Sequence, residues 1–195
     1  MKSIVLSRIA TLMVLLCLPA MAVCDEVPLG CQSFHVASGT FRVWDRPKQV
    51  EDTSFTDHQG RTFRLSAFKG RPVLLHVWGT WCPPCLLEMP SLSRLAVSIP
   101  NEDLLVLPVS RDSGGATQVM EFYRKHEIKG LPVAVDRWGK LAYAMSVNKV
   151  PETIYLDRNL REVGRLTGML DWDAPNVRAH PVSYTHLRAH ETATY

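Results

Sequence analysis

Charge of one sign is scarce in this chain, since 22 Lys and Arg against 19 Asp and Glu leave a formal net charge of +3 over 195 residues. The basic residues form no block or stripe, which argues against a nucleic-acid partner. Long apolar runs are missing as well. Ile9–Leu18 falls short of the roughly 20 residues that a membrane-spanning helix needs. There is no internal repeat and no long linker, and with 46% hydrophobic and 21% charged residues the composition is neither disordered nor fibrous. A second Cys-x-x-Cys, or a suitably spaced pair of histidines, is absent from the segments around Cys82 and Cys85, so no metal site is assigned.

What is present begins with a leader. Lys2 and Arg8 supply a basic start, Ile9–Leu18 the apolar stretch, and Pro19-Ala20-Met21-Ala22 the small residues of a cleavage site. Residues 1–22 therefore read as a secretory signal, and its removal takes the net charge from +3 to +1. The rival readings are a membrane anchor and lipidation at Cys24, the second opposed by Val23 where a lipoprotein signal has a small residue. At the other end, residues 179–195 resemble translated adapter sequence and are left out of the fold reading, and His180, His186 and His190 within them are not read as metal ligands. Of five cysteines, Cys17 leaves with the signal. The remaining four would face an oxidising compartment, where disulfides persist. Cys24 and Cys31 are read as a local staple or as two idle thiols, Cys82 and Cys85 as a tight pair.

Along the chain, residues 23–48 form an N-terminal extension with a strand around Phe41–Trp44, and Phe55–Leu65 looks like a hairpin turning at Asp57-His58-Gln59-Gly60. Ser66 is expected to cap a short turn ending at Gly70. Val73–Trp78 is a near-continuous apolar run, the pattern of a central strand covered on both faces. Leu86, Leu87, Met89, Leu92 and Leu95 then follow at helical spacing. Further strands are expected at Leu104–Val109, Leu131–Val135, Thr153–Leu156 and Glu162–Leu166, with helices at Thr117–His126 and Lys140–Met145. This alternation, closed by a strand pair with a tight turn at Asp157–Leu160, predicts an α/β fold with a mixed central sheet flanked by helices.

Cys82-Pro83-Pro84-Cys85 thus sits where a buried strand feeds a helix N-terminus. Unpaired amides and the helix dipole favour a thiolate on the first sulfur there, and the thiolate is the form that attacks. Cys82 is therefore expected to be exposed and nucleophilic, and Cys85, one turn along and inward, to be shielded and suited to resolving a mixed disulfide. Pro83 fits the first helical position, where its missing N–H has no partner to lose. The rival readings of the pair are a structural disulfide and half of a zinc site.

The run Val77-Trp78-Gly79-Thr80-Trp81-Cys82-Pro83-Pro84-Cys85, with Glu88-Met89-Pro90 after it and Val150-Pro151-Glu152-Thr153 downstream, resembles the TlpA/ResA-type branch of the thioredoxin superfamily over about Asp52–Asp173. The resemblance implies a thioredoxin-like domain over residues 49–178. It also implies electron shuttling by Cys82 and Cys85 with no cofactor beyond that disulfide, a cis Pro151 against the pair, and a Val150 backbone offered to substrate. For Glu88 it implies proton handling, set against the plainer reading of a solvated helix-face glutamate. Trp81 is placed at the rim to touch substrate, and Trp78 in the core. His76 occupies the place where thioredoxins proper carry a buried aspartate, and reads either as a neutral core histidine or as a proton relay for Cys85. A terminal helix is expected to begin with Asp173 as cap and Pro175 in its first turn.

The activity that follows is an extracytoplasmic protein-disulfide reductase, acting on protein disulfides such as those of apocytochrome c and kept reduced by a membrane electron donor of the DsbD/CcdA type. Net oxidation and Cu(I) carriage by the two thiolates are the rivals. Peroxidase chemistry is disfavoured, because no Thr-x-x-Cys frames Cys82. Expressed in a bacterial host, the chain is expected to begin at Val23 and to be recovered in soluble form. N-terminal sequencing that finds Met1 in the membrane fraction, or lipid on Cys24, would overturn the leader reading.

Overall fold

The computed structural model describes residues 32–36, 38–174 and 177. The expected signal, the Cys24/Cys31 pair, the first turn of a terminal helix at Pro175 and the tail at 179–195 lie outside the described residues. In chain order come β1 (Gln32–Val36), β2 (Ser38–Lys48), β3 (Ser54–Asp57) and β4 (Thr62–Arg64), then a 3-10 turn at Leu65–Phe68. β5 (Val73–Trp78), α1 (Pro83–Ser98), β6 (Leu105–Ser110), α2 (Gly115–Lys125) and β7 (Ala134–Val135) follow, and α3 (Lys140–Ala144), β8 (Glu152–Leu156) and β9 (Glu162–Met169) complete the order.

All nine described strands join one sheet in the order β1-β2-β9-β8-β5-β6-β7-β3-β4. β5, β6 and β7 are mutually parallel and the other pairings antiparallel, giving the expected mixed sheet. Every residue of β5 is buried. Side chains alternate across a strand, so Leu74 and Trp78 join the core under α1 and α2, while Val73, Leu75 and Val77 join the core under α3 and the β3–β4 hairpin. His76, between Leu74 and Trp78, points the same way as they do.

Several boundaries differ from those expected. The strand around Phe41–Trp44 extends over Ser38–Lys48 and pairs with β9 from Ser38↔Met169 to Lys48↔Glu162. Phe41 is buried and meets Tyr155 edge to face at 5.2 Å, so this segment is part of the main sheet. The strand expected at Leu131–Val135 shrinks to Ala134–Val135, because Pro132 has no N–H for a ladder and Gly130 turns the chain at φ 71°. Ser66 does not cap the 3-10 turn. It lies inside, and its amide donates to Asp52 Oδ1 at 2.8 Å, so the capping acceptor comes from farther back in sequence.

Both tight turns use one device that the sequence reading did not single out. Asp57 accepts from the amides of Gln59 and Arg61 and from Arg61 Nε, and Asp157 accepts in the same way from Asn159 and Arg161. At Gly164 the backbones of β2 and β9 approach so closely that an added Cβ would stand 2.6 Å from the Arg42 carbonyl oxygen. Backbone cannot step aside as a flexible side chain can. Gly164→Ala is therefore expected to destabilise the fold by about 1–3 kcal/mol, read as a lower midpoint in denaturant, and an unchanged midpoint would mean that the two strands yield.

Candidate active site

β5 ends at Trp78, the loop Gly79-Thr80-Trp81 follows, and α1 starts at Pro83 with Cys82 as its N-cap. Cys82 and Cys85 are joined by a disulfide with Cα atoms 5.3 Å apart. The Cys85 amide donates to Cys82 Sγ at 3.3 Å, while Pro84 has no N–H to add. Pro83 occupies the first helical position, as its fixed φ suits. Cys82 was expected to be exposed, yet only 4% of it is, against 0% for Cys85. The Val150 carbonyl oxygen, 3.7 Å from Cys82 Sγ, helps close it over, and the Val150–Pro151 peptide is cis. The two loops meet because β8 runs antiparallel to β5 with Val77 opposite Glu152, which brings Pro151 beside the end of β5.

The loop before Cys82 is held from below by a buried carboxylate. Asp112, fully buried just beyond β6, accepts from the Thr80 amide at 3.0 Å, Thr80 Oγ1 at 2.8 Å, Ser110 Oγ at 2.6 Å and Gln118 Nε2 at 3.0 Å. One side chain thereby ties β6 and α2 to the residue two places before the nucleophile. Trp81 folds its indole back over Gly79, where a Cβ would stand 2.7 Å from the ring. It remains 58% exposed at the rim, and Trp78 is wholly in the core.

Glu88 is not the solvated residue that helix periodicity alone suggests. It is buried on the inner face of α1, where Oε2 accepts from the Leu170 amide at 3.1 Å and Trp172 Nε1 at 3.2 Å. Oε1 lies 3.5 Å from His76 Nε2, and neither of those atoms has a hydrogen-bond partner. His76 Nδ1 meets Thr153 Oγ1 at 2.9 Å. Burial dominates both groups and moves them in opposite directions, raising Glu88 to about 8 against its two hydrogen bonds and lowering His76 to about 3. At neutral pH the contact is therefore between a carboxylic acid and a neutral imidazole, not an ion pair. His76 is thus hydrogen-bonded in the core at Nδ1 only, and Nε2 faces the Glu88 carboxyl without a hydrogen bond.

The AhpC/TSA family matches residues 47–163, well over half of the chain. The thiol-disulfide oxidoreductase ResA of Geobacillus kaustophilus (strain HTA426) is 30% identical over 119 residues, covering 61% of this chain and 67% of that protein. The chain belongs to the AhpC/TSA family, as a TlpA/ResA-type member of the thioredoxin superfamily. Among solved structures, the exposed lipoprotein thioredoxin Etrx1 of Streptococcus pneumoniae strain TIGR4 is 30% identical, covers 64% of this chain and 94% of its own, and superposes with a TM-score of 0.55. A secreted thiol-disulfide isomerase of Corynebacterium glutamicum, at 20% identity, shares the fold over 80% of this chain and 99% of its own with a TM-score of 0.62. With a cysteine pair joined at the N-terminus of α1, this TlpA/ResA-type protein is a thiol-disulfide oxidoreductase of the thioredoxin type.

The site of this family member also uses residues that sequence reading passed over. Glu152, next to cis Pro151, is buried and receives Arg165 Nη1 at 2.9 Å. Arg165 also grips Glu162 with Nε at 2.7 Å and Nη2 at 2.8 Å and reaches the Met145 carbonyl oxygen at 3.1 Å, so one guanidinium anchors the start of β8 to β9 and α3. An acidic residue at the head of an expected strand was a signal that a cation had to be found for it. Ser110-Arg111-Asp112 at the end of a buried strand was the corresponding signal for the loop clamp. Trp172 gave no local signal, because its role depends on reaching back to α1. Among the described residues, no group of three or more potential ligands could hold a metal ion.

Because Glu88 is raised in the folded state, its contribution to stability is fully present below the ordinary carboxylate range near 4.5 and is lost as pH rises through about 8. Glutamine keeps the shape and neutrality of the protonated acid. Relative to Glu88→Gln, the oxidised wild type is expected to lose a few kcal/mol between pH 5 and 8, measured by urea unfolding at each pH. Parallel pH curves for the two proteins would show that Glu88 titrates normally.

Proposed function

We propose that this protein is an extracytoplasmic protein-disulfide reductase. In its reduced form the Cys82 thiolate attacks one sulfur of a substrate disulfide, and the other substrate sulfur leaves as a thiolate. Cys85, on losing its proton, attacks Cys82 Sγ and expels the second substrate thiolate. Two electrons have then passed to the substrate, and the Cys82–Cys85 disulfide remains. The minor ionised form of Glu88, whose carboxyl is raised to about 8, is suited to take up the proton that Cys85 must lose, while His76, lowered to about 3, is too weak a base to take it and only faces the carboxyl. Trp81 and the Val150 backbone border the path of the incoming disulfide, and Asp112 keeps the loop under Cys82 in register.

The observation that carries the reductive direction is the N-cap itself. Cys82 Sγ receives one amide, that of Cys85, and Pro84 withholds the other. No histidine or basic residue stands between the cysteines to add to it. Strong oxidants of this fold depend on a heavily stabilised reduced thiolate, which this arrangement does not supply. Support for an exported location comes from the leader read at residues 1–22 and from the exposed and secreted character of the two structural relatives. No helix among the described residues is long and apolar enough to cross a membrane. Protein disulfides, including those of apocytochrome c, are the substrate class, and a membrane donor of the DsbD/CcdA type would return the electrons.

Equilibration with glutathione buffers tests the direction. The pair is expected nearer thioredoxin, at about −270 mV, than DsbA, at about −120 mV, a gap of roughly 7 kcal/mol for two electrons. A pair that stays reduced in oxidising buffer would instead make the protein an oxidase.

A further inference from the structure

β5, β6 and β7 run in the same direction and β8 runs against β5, so the ends of three strands and the start of a fourth meet at one edge of the sheet. Cys82 lies just beyond the end of β5 there. Arg111 follows β6, Arg137, Trp138 and Lys140 follow β7, and Lys149 precedes β8. Neighbouring strands lie about 4.8 Å apart, so the ends of β5 and β7 are separated by about 10 Å. The loops are tied together as well. The Arg111 amide donates to the Trp78 carbonyl at 2.9 Å and the Asp136 amide to the Ser110 carbonyl at 2.8 Å. Arg111 Nη2 would stand 3.3 Å from a Cβ on Gly139, which puts the guanidinium over the turn that presents Trp138.

Two features of this edge have no use within the fold. Trp138 is 79% exposed, although a bare indole is costly to hold in water, and the Arg137 guanidinium stacks over it at 5.2 Å. The charge between β5 and β7 is also one-sided; the exposed acids beside it, Glu51 and Asp52, lie before β3 on the far side of β7, and Asp52 is paired with Arg64. Asp112 and Asp136 are buried and taken up by hydrogen bonds, Asp136 by the Ala142 amide, and Glu152 is buried against Arg165. The exposed Asp171 lies beyond β9, on the other side of β5. What faces solvent between β5 and β7 is Trp81, Trp138, Arg137 and Lys140, with Arg111 partly exposed.

We propose that this edge docks the substrate polypeptide, and that the segment it selects carries acidic and aromatic residues beside its reactive cysteine. The inference rests on the thiol-disulfide reading above. Acidic side chains would meet Arg137, Lys140 and Arg111, and an aromatic side chain would cover Trp138 while the cysteine reaches Cys82. A second copy of this chain is the poorer occupant, because a two-fold contact would set the same cations against each other.

Two short synthetic peptides test this, each with one cysteine capped as a mixed disulfide with 2-mercaptoethanol. One has Asp, Glu and Trp flanks, the other Lys, Arg and Ser flanks. The reduced protein is expected to react about 10-fold faster with the acidic-aromatic peptide at low salt, and the preference should shrink as ionic strength rises. Trp138→Ser and the double variant Arg137→Ser with Lys140→Ser should each reduce it to about 2-fold or less while reacting normally with bis(2-hydroxyethyl) disulfide, which is small and uncharged. Equal rates with both peptides, or a preference that survives in every variant, would overturn the docking surface and leave the redox assignment standing. Failure to react even with bis(2-hydroxyethyl) disulfide would remove the redox assignment and the docking surface with it. A wild-type dimer on gel filtration that Trp138→Ser dissolves would reassign the edge to self-association and overturn the proposal.

Discussion

Because β5 is buried along its whole length on both faces, any polar group that touches it is cut off from water. His76 meets Thr153 on the neighbouring strand through Nδ1 and faces Glu88 on the helix above at 3.5 Å without a hydrogen bond. Loss of water acts on the two ionisable groups in opposite senses, and both end neutral. A contact between two neutral ionisable groups is thus a by-product of putting a histidine and a glutamate under the same helix in the driest part of the sheet.

The same strand explains why the chemistry lies at one edge. One parallel neighbour, β6, and one antiparallel neighbour, β8, send their loops to the place where β5 hands over to α1, and each loop is held by a buried polar clamp. Asp112 holds the turn under Cys82, and Arg165 with Glu152 and Glu162 holds the strand that follows Pro151. Such clamps matter because loops otherwise drift, and misplacement of about 1 Å can cost about 100-fold in rate. Trp172 and the Arg94–Asp173 ion pair, at 2.6 Å, draw the chain after β9 back over α1 and seal Glu88 from solvent.

Much of this was legible before any coordinates. The hairpin at Phe55–Leu65 was readable because its turn chemistry is local, and the double-faced burial of Val73–Trp78 because an unbroken apolar run has few other uses. The strand through Phe41 was readable only as a fragment, since its full length is set by pairing with β9 more than a hundred residues away. Leu131–Val135 has the apolar composition of a strand, but Pro132 brings no amide to a ladder and only Ala134–Val135 pairs.

At the site the division follows sequence distance. Cys82 as helix cap, Pro83 at the first position and the single amide offered by Cys85 were determined by the sequence alone, because an N-cap is built within one turn of chain. The burial of Cys82 beneath Val150, the clamp at Asp112 and the neutrality of Glu88 were decided only by the tertiary structure. Glu88 meets Leu170 and Trp172 at separations of 82 and 84 residues, and no local pattern says whether a helix face will be dried by a partner that far along the chain. Local geometry decides where a charge can be stabilised. Desolvation by distant segments decides whether it exists.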